Sequence, residues 1–264
     1  MNERYYLRIG RRRLAFATVD ATRTEAPVSY TSYLMKPGIS VAANLREALR
    51  QEPCPLPPAP RTTILIDSPV LMVPVDLYQE SDRDMLFSHS FPSRSQDSVM
   101  ADVVPDLNCV ALYAMSHDLR QVCDGYFQQP RYLCAAMPVW RQLHKRSFTG
   151  VRAKLYGYFH DERLEVFSFQ QNRFKFYNAF DAQRTADSLY FLLYVWRQLN
   201  LQQEYDELHL VGNIPGDGEE LLRELHRYLK HAYVINPAAD YNRLPVTKVG
   251  GLDYDLMTLI VKGR

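Results

Sequence analysis

The residues best placed to do chemistry are four arginines in one short segment, Leu7-Arg8-Ile9-Gly10-Arg11-Arg12-Arg13. Guanidinium groups are planar, permanently charged donors that take phosphate or carboxylate bidentately, so this cluster is a candidate anion clamp. The plainer reading is a solvated hairpin face, with arginine stems lying over apolar surface. A second candidate is Leu210-Val211-Gly212-Asn213-Ile214-Pro215-Gly216-Asp217-Gly218. Its glycines fit a strand-to-helix turn, which needs them without any ligand. Asp67, Asp161 and Asp217 are the carboxylates available near these segments for a divalent cation. Asp67 and Asp161 stand outside any glycine-rich loop. His160 with Asp161 reads as a pair of solvated turn residues. No His-Glu-x-x-His is present, and Cys54, Cys109, Cys123 and Cys134 form no Cys-x-x-Cys pair. The cysteines read as buried reduced thiols rather than a disulfide or a zinc set. No residue is assigned as catalytic, and no metal ligands are assigned.

The elements that would position these residues follow a pattern that occurs twice. The first half opens with candidate strands over 5–9, 13–19 and 28–35 and an amphipathic helix over 41–51, with Ser40 as its N-cap. The second opens with strands over 153–159, 163–170 and 173–180 and a helix over 186–199. A strand over 207–211 and a helix over 219–231 follow. The prolines between Pro53 and Pro60 predict a stiff surface connection. Strands then resume over 62–67 and 70–74. Ser81 and Asp84 have capping-box spacing for a short helix through Phe91. The polar stretch 92–97 reads as a mobile loop. An antiparallel pair is expected over 98–104 and 108–115, turning at Pro105-Asp106. Ser116 caps a helix with Leu119, Val122 and Cys123 on one face. A strand over 132–137 and a helix from Pro138 close the half. The final segment 254–261 is apolar enough for a helix or a strand. The halves are expected to be 1–148, with an inserted subdomain at about 67–106, and 149–264, with a cleft between them.

Composition narrows the function classes. With 31 Lys+Arg against 30 Asp+Glu the net charge is +1, which provides no global footprint for nucleic acid or an anionic membrane. Neither a secretory leader nor an apolar run of spanning length is apparent, so a cytoplasmic location and no membrane insertion are expected. The 18 tyrosines suit an interaction surface, with Tyr30, Tyr33, Tyr78, Tyr241 and Tyr254 as candidates.

A βββαβα half, repeated, resembles the shared core of the actin-like ATPase superfamily, which has a ribonuclease H-like fold. The stretches TTILIDSPVLMVPVDLY, VALYAMSHDLRQVCDGYF and RYLCAAMPVWRQL are similar to the branch containing FtsA, PilM and the cytoplasmic part of GspL. The whole chain resembles more closely a Bacteroidetes family, a domain of unknown function with the actin-like fold. The resemblance implies a duplicated α/β actin-like fold with a nucleotide cleft. In that superfamily an Asp-x-Gly loop after the first strand holds Mg²⁺ through water. Gly10 matches the glycine here, but Arg8 stands in the place of the aspartate. The second phosphate loop would be Gly157-Tyr158-Phe159-His160-Asp161, with aromatic residues in the place of glycines. In the adenosine motif Gly212 is kept and Asn213 replaces the second glycine.

These departures predict a catalytically inactive pseudo-ATPase that acts as a protein-interaction scaffold, with a protein partner, no nucleic acid and no cofactor. The alternative is a divergent ATPase or small-molecule kinase that uses ATP or ADP with Mg²⁺ in the interdomain cleft. Gly10, Arg11, Gly212 and Asn213 are the candidate cofactor-binding residues in either case.

Overall fold

The computed structural model describes residues 3–20, 28–58, 61–216 and 218–263. The chain divides into two compact units, one of residues 1–138 with 244–264 and one of residues 139–243. Unit 1 begins with an antiparallel meander of β1 (Glu3–Ile9), β2 (Arg13–Asp20) and β3 (Val28–Leu34). Helix α1 (Val41–Leu49) follows, and the Ser40 hydroxyl accepts the Ala43 N–H at its start. Asn44 is buried in α1, and its amide bonds the backbone at Lys36, Ile39 and Ser40, which ties the incoming loop to the helix. Strand β4 (Thr63–Ile66) then enters the sheet parallel to β1.

The insertion comes next. It contains β5 (Leu71–Pro74), α2 (Arg83–Ser90), β6 (Ser98–Val104) and β7 (Cys109–Met115), in a three-stranded antiparallel sheet of order β5-β7-β6. Because β7 lies between the other two, the inserted sheet runs on to Met115 rather than ending near residue 106. Phe87 of α2 packs on Val73, Val99, Val110 and Leu112 to give this small sheet a core of its own. The expected capping box is not formed: Asp82 is the N-cap of α2 without a side-chain cap bond, and the Ser81 hydroxyl bonds Asp82 instead. Helix α3 (His117–Tyr126) is capped by Ser116 as its sequence predicts. Strand β8 (Arg131–Cys134) completes a five-stranded sheet of order β3-β2-β1-β4-β8.

Helix α4 (Met137–Ser147) begins at the division between the units. Unit 2 repeats the plan with β9 (Lys154–His160), β10 (Arg163–Gln170), β11 (Arg173–Asp181), α5 (Thr185–Gln198), β12 (Glu207–Gly212), α6 (Glu219–Leu225), β13 (Ala232–Val234) and α7 (Pro237–Asp240). Its five strands lie in the order β11-β10-β9-β12-β13, the same arrangement as in unit 1. Alternation puts Leu208 and Leu210 of β12 on one face, where they pack with Leu192, Val195 and Trp196 of α5 and with Leu221 and Leu225 of α6. The helix expected over 219–231 stops at Leu225, and the short β13 follows after a turn.

The chain's last segment returns to unit 1 as helix α8 (Tyr254–Lys262). These units have other bounds than the expected halves of 1–148 and 149–264, and Asp253 and Asp255 at the start of α8 pair with Arg13 and Arg8 of unit 1. Among the described residues no helix is long and apolar enough to cross a membrane.

Candidate functional site

The arginine hairpin is built by the β1–β2 turn, closed by the Gly10 N–H on the Arg13 carbonyl at 3.0 Å. Arg8, on β1, is fully buried, and its Nε donates to both oxygens of Asp255 at 3.0 and 2.8 Å. Asp253 Oδ2 lies 3.9 Å from the same nitrogen, and Asp253 Oδ1 takes the Arg13 guanidinium. Burial works against the charge on Arg13, but the Asp253 carboxylate overrides it and raises the pKa above its usual value. Two carboxylates from the start of α8 thus neutralise two of the four arginines. Gly10 and the exposed Arg11 and Arg12 make the turn itself. Arg8 is thus a buried guanidinium held against the carboxylates of Asp255 and Asp253. It offers no oxygen to a hydrated Mg²⁺.

In unit 2 the glycine of the adenosine-motif stretch has a packing reason. Gly212 has φ +93°, and a Cβ there would lie 2.1 Å from the Phe159 carbonyl oxygen. The Asn213 N–H donates to that same oxygen at 2.8 Å. The end of β12 therefore runs hard against the end of β9, which only glycine permits. Gly218, with φ +65°, precedes α6, while Asp217 lies outside the described residues. At the other candidate loop, Asp161 and Glu162 have φ of 43° and 63°. They form a two-residue hairpin turn of the primed type, too tight to surround a phosphate.

His160 corrects its reading as a solvated turn residue. It is the last residue of β9, 3% exposed, with Nε2 3.1 Å from Glu165 Oε1. The Trp140 indole N–H donates to Glu165 Oε2 at 3.1 Å, so one buried carboxylate serves both rings. Tyr158 stacks on His160 at 4.5 Å. The signal was available: Tyr156, Tyr158 and His160 continue one strand face at period two. On the same face of β12, His209 lies between the rings of Tyr156 and Tyr233 and bonds Glu207 at 3.0 Å. Burial lowers its pKa against the pull of Glu207.

A groove of 780 Å³ lies in unit 1, which the sequence did not suggest. It lies beside β6 and the start of β8. Each of these is the outer strand of its own sheet, with β7 and β4 as their single described neighbours. Asp102 of β6 accepts the Cys134 N–H of β8 at 2.7 Å and so links the two edges. Burial raises the Asp102 pKa, while the Cys134 N–H, Tyr113 and Arg131 oppose the shift. Arg120 of α3 donates to Ser98 at 2.5 Å and sits 5.9 Å over the Tyr132 ring. Arg94 is held by Asp97 at 2.7 Å and by the Ala114 carbonyl at 3.2 Å. The stretch expected as a mobile loop is thus a 3₁₀ turn, Pro92–Arg94, anchored to this wall.

Of the tyrosines picked for an interface, Tyr33, Tyr241 and Tyr254 are buried. Tyr30 and Tyr78 are half-buried, and the exposed Tyr190 and Tyr194, stacked at 6.0 Å on α5, were not among those picked. Three cysteines are buried, whereas Cys54 is exposed.

The fold has clear relatives. A Bacteroides thetaiotaomicron protein described as having an actin-like ATPase fold and unknown function matches with TM-score 0.78 and 23% identity, covering 92% of this chain and 95% of that one. The PilM–PilN type IV pilus biogenesis complex matches with TM-score 0.55 and 13% identity, over 90% and 89% of the two chains. The cytoplasmic domain of EpsL, an inner-membrane component of the Vibrio cholerae type II secretion system, matches with TM-score 0.43 and 10% identity, over 85% and 94%. No curated protein matches the sequence. These likenesses place the chain in the actin-like ATPase fold. The model of the family described as "Protein of unknown function (DUF3822)" matches residues 2–232, and the chain belongs to that family.

Proposed function

We propose that this protein is a pseudo-ATPase, an actin-like scaffold that binds an extended segment of a protein partner rather than turning over nucleotide. The observation that carries the reading is the buried Arg8–Asp255 pair. The resemblance puts Arg8 where a metal-binding aspartate would stand; a guanidinium paired with Asp255 supports the reading, because hydrated Mg²⁺ would meet positive charge there. The reason Gly212 is glycine lies in strand packing, so its presence does not argue for adenosine binding.

The partner half of the reading rests on the groove beside β6. An outer strand presents a row of backbone N–H and C=O groups that an incoming extended segment can pair with. Here Arg94, Arg120 and Asp102 are already held in place by their own bonds, so little side-chain ordering remains to be done on binding. The PilM relative is seen in a complex with PilN, which fits a scaffold reading at the level of fold alone. Gly10, Arg11, Gly212 and Asn213 remain the proposed contacts should a nucleotide bind weakly.

A photo-crosslinking residue at Met100, which lines the groove, tests the partner assignment in cells. The expected result is one discrete adduct that is absent when the same residue is placed at the exposed Arg227 of unit 2. Equal, diffuse labelling from both positions contradicts the groove assignment.

A further inference from the structure

We propose that unit 1 has a second site, sharing Arg131 with the groove beside β6: a pocket for a small amphipathic anion at the end of its sheet where β1, β4 and β8 begin. The ligand class is a carboxylate or phosphate monoester with a short apolar body. The pocket measures 290 Å³. Its apolar wall is made by Tyr6, Leu133 and Leu259, which are 5%, 4% and 5% exposed. Three exposed arginines, Arg4, Arg61 and Arg131, also line it.

The sheet register places these groups. Tyr6 pairs with Thr63, and Thr63 pairs with Arg131, so the three lie abreast on one face of neighbouring strands. Arg4 is two residues before Tyr6 and Leu133 two residues after Arg131, so both share that face. Leu259 and Gly263 close the pocket from α8. Arg61 stands just before β4 in the left-handed region, with φ 60°. Its N–H is held by the Gln128 carbonyl at 3.0 Å. A long charged residue in a conformation that favours glycine or asparagine is a local strain that a binding role would explain.

Charge balance points the same way. Elsewhere in unit 1, Arg8, Arg13, Arg83, Arg94 and Arg120 meet carboxylates, and of the pocket's arginines Arg131 also acts on Asp102 of β6. Among the described residues that line this pocket, none is acidic. Guanidiniums gathered around one small space repel one another, and an oxyanion bound bidentately relieves that repulsion. The apolar wall asks for more than a bare anion. The volume of 290 Å³ lies just below the ~300–1,000 Å³ usual for ligand pockets, which suits one head group and a short chain. Ligands of open α/β sheets usually bind at the carboxyl ends of the strands. This pocket is at the opposite ends, so it is independent of the nucleotide question.

The test is isothermal titration of the whole chain with octanoate and octyl phosphate, against octanol and inorganic phosphate as controls. A double variant, Arg4→Ala with Arg61→Ala, removes two arginines that do not line the partner groove. One saturable site for octanoate, octyl phosphate or both is expected, with the preference between them identifying the head group. Octanol and inorganic phosphate should bind at least about tenfold more weakly, and the double variant should lose about tenfold or more. The proposal is overturned by the absence of saturable binding, by octanol or inorganic phosphate binding equally well, or by unchanged affinity in the double variant. Since neither arginine touches the groove beside β6, these results stand apart from the fate of the partner assignment.

Discussion

Replacing Asp255 by leucine is the perturbation that most directly probes the structural logic of unit 1. Arg8 and Asp255 are both 0% exposed, and one guanidinium nitrogen reaches both carboxylate oxygens. Removing one partner of a buried pair costs about 3–5 kcal/mol, because the remaining charge is left in a poor solvent. The neighbouring Asp253 oxygen, 3.9 Å away, would recover part of this, so the lower end of the range applies. About 3 kcal/mol is a large share of the roughly 5–15 kcal/mol that stabilises a folded protein. At ~2–4 °C per kcal/mol for 150–250 residues, the melting temperature should fall by about 6–12 °C. The assay is a double-mutant cycle of Arg8→Met, Asp255→Leu and the pair together, followed by urea unfolding. The double variant should be more stable than Asp255→Leu alone, with a coupling of at least about 2 kcal/mol, since well-packed apolar residues can replace a buried pair. Additive effects, or a single-variant loss under about 1 kcal/mol, would refute the reasoning.

Other outcomes follow from individual contacts. Gly212→Ala should destabilise by more than about 2 kcal/mol, whereas Gly218→Ala, whose Cβ would meet nothing closer than 3.7 Å, should cost only about 1 kcal/mol; chemical denaturation of the two variants checks this ordering. Burial pushes the thiol pKa of Cys109 to about 11 and that of Cys123 to about 12. At pH 8 a disulfide reagent should therefore modify exposed Cys54 first in the native protein, and the buried thiols only on unfolding. His209 has its pKa lowered by burial, so the unfolded chain takes up the proton first as pH falls. Stability should drop below the unfolded histidine pKa of about 6.5, and His209→Gln should flatten that drop between about pH 6.5 and 5. The loss from Glu207, whose pKa is lowered by the His209 bond despite its burial, begins only at more acidic pH.

Much of the fold was legible because its signals are local. Ser40 and Ser116 announce α1 and α3, and the two meanders carry dense β-formers with turn residues between them. The segments that departed from expectation depend on distant contacts. Ala232–Val234 is too short to show a period, and it becomes a strand only by pairing with β12. The apolar segment 254–261 is compatible with helix or strand until Asp255 is seen facing Arg8, 247 residues away in sequence. The same gap hid the meaning of the arginine hairpin. From sequence four arginines form one cluster; in the fold two of them are matched by carboxylates from α8. His160 was misplaced because its neighbour Asp161 is a turn former, while its own side chain follows the inward face of β9 to Glu165. The groove beside β6 left no trace in the sequence, since it is formed by the outer strands of two different sheets.

The central claim, that this actin-like chain does not use nucleotide, is tested most directly by thermal-shift titration with ATP and ADP in the presence of Mg²⁺. No shift is expected at millimolar nucleotide and no Mg²⁺-dependent phosphate release above background, against about 1–10³ s⁻¹ for typical enzymes. A saturable rise that approaches ~2.7 kcal/mol of apparent stability at 100 times the dissociation constant, accompanied by phosphate release, would contradict it.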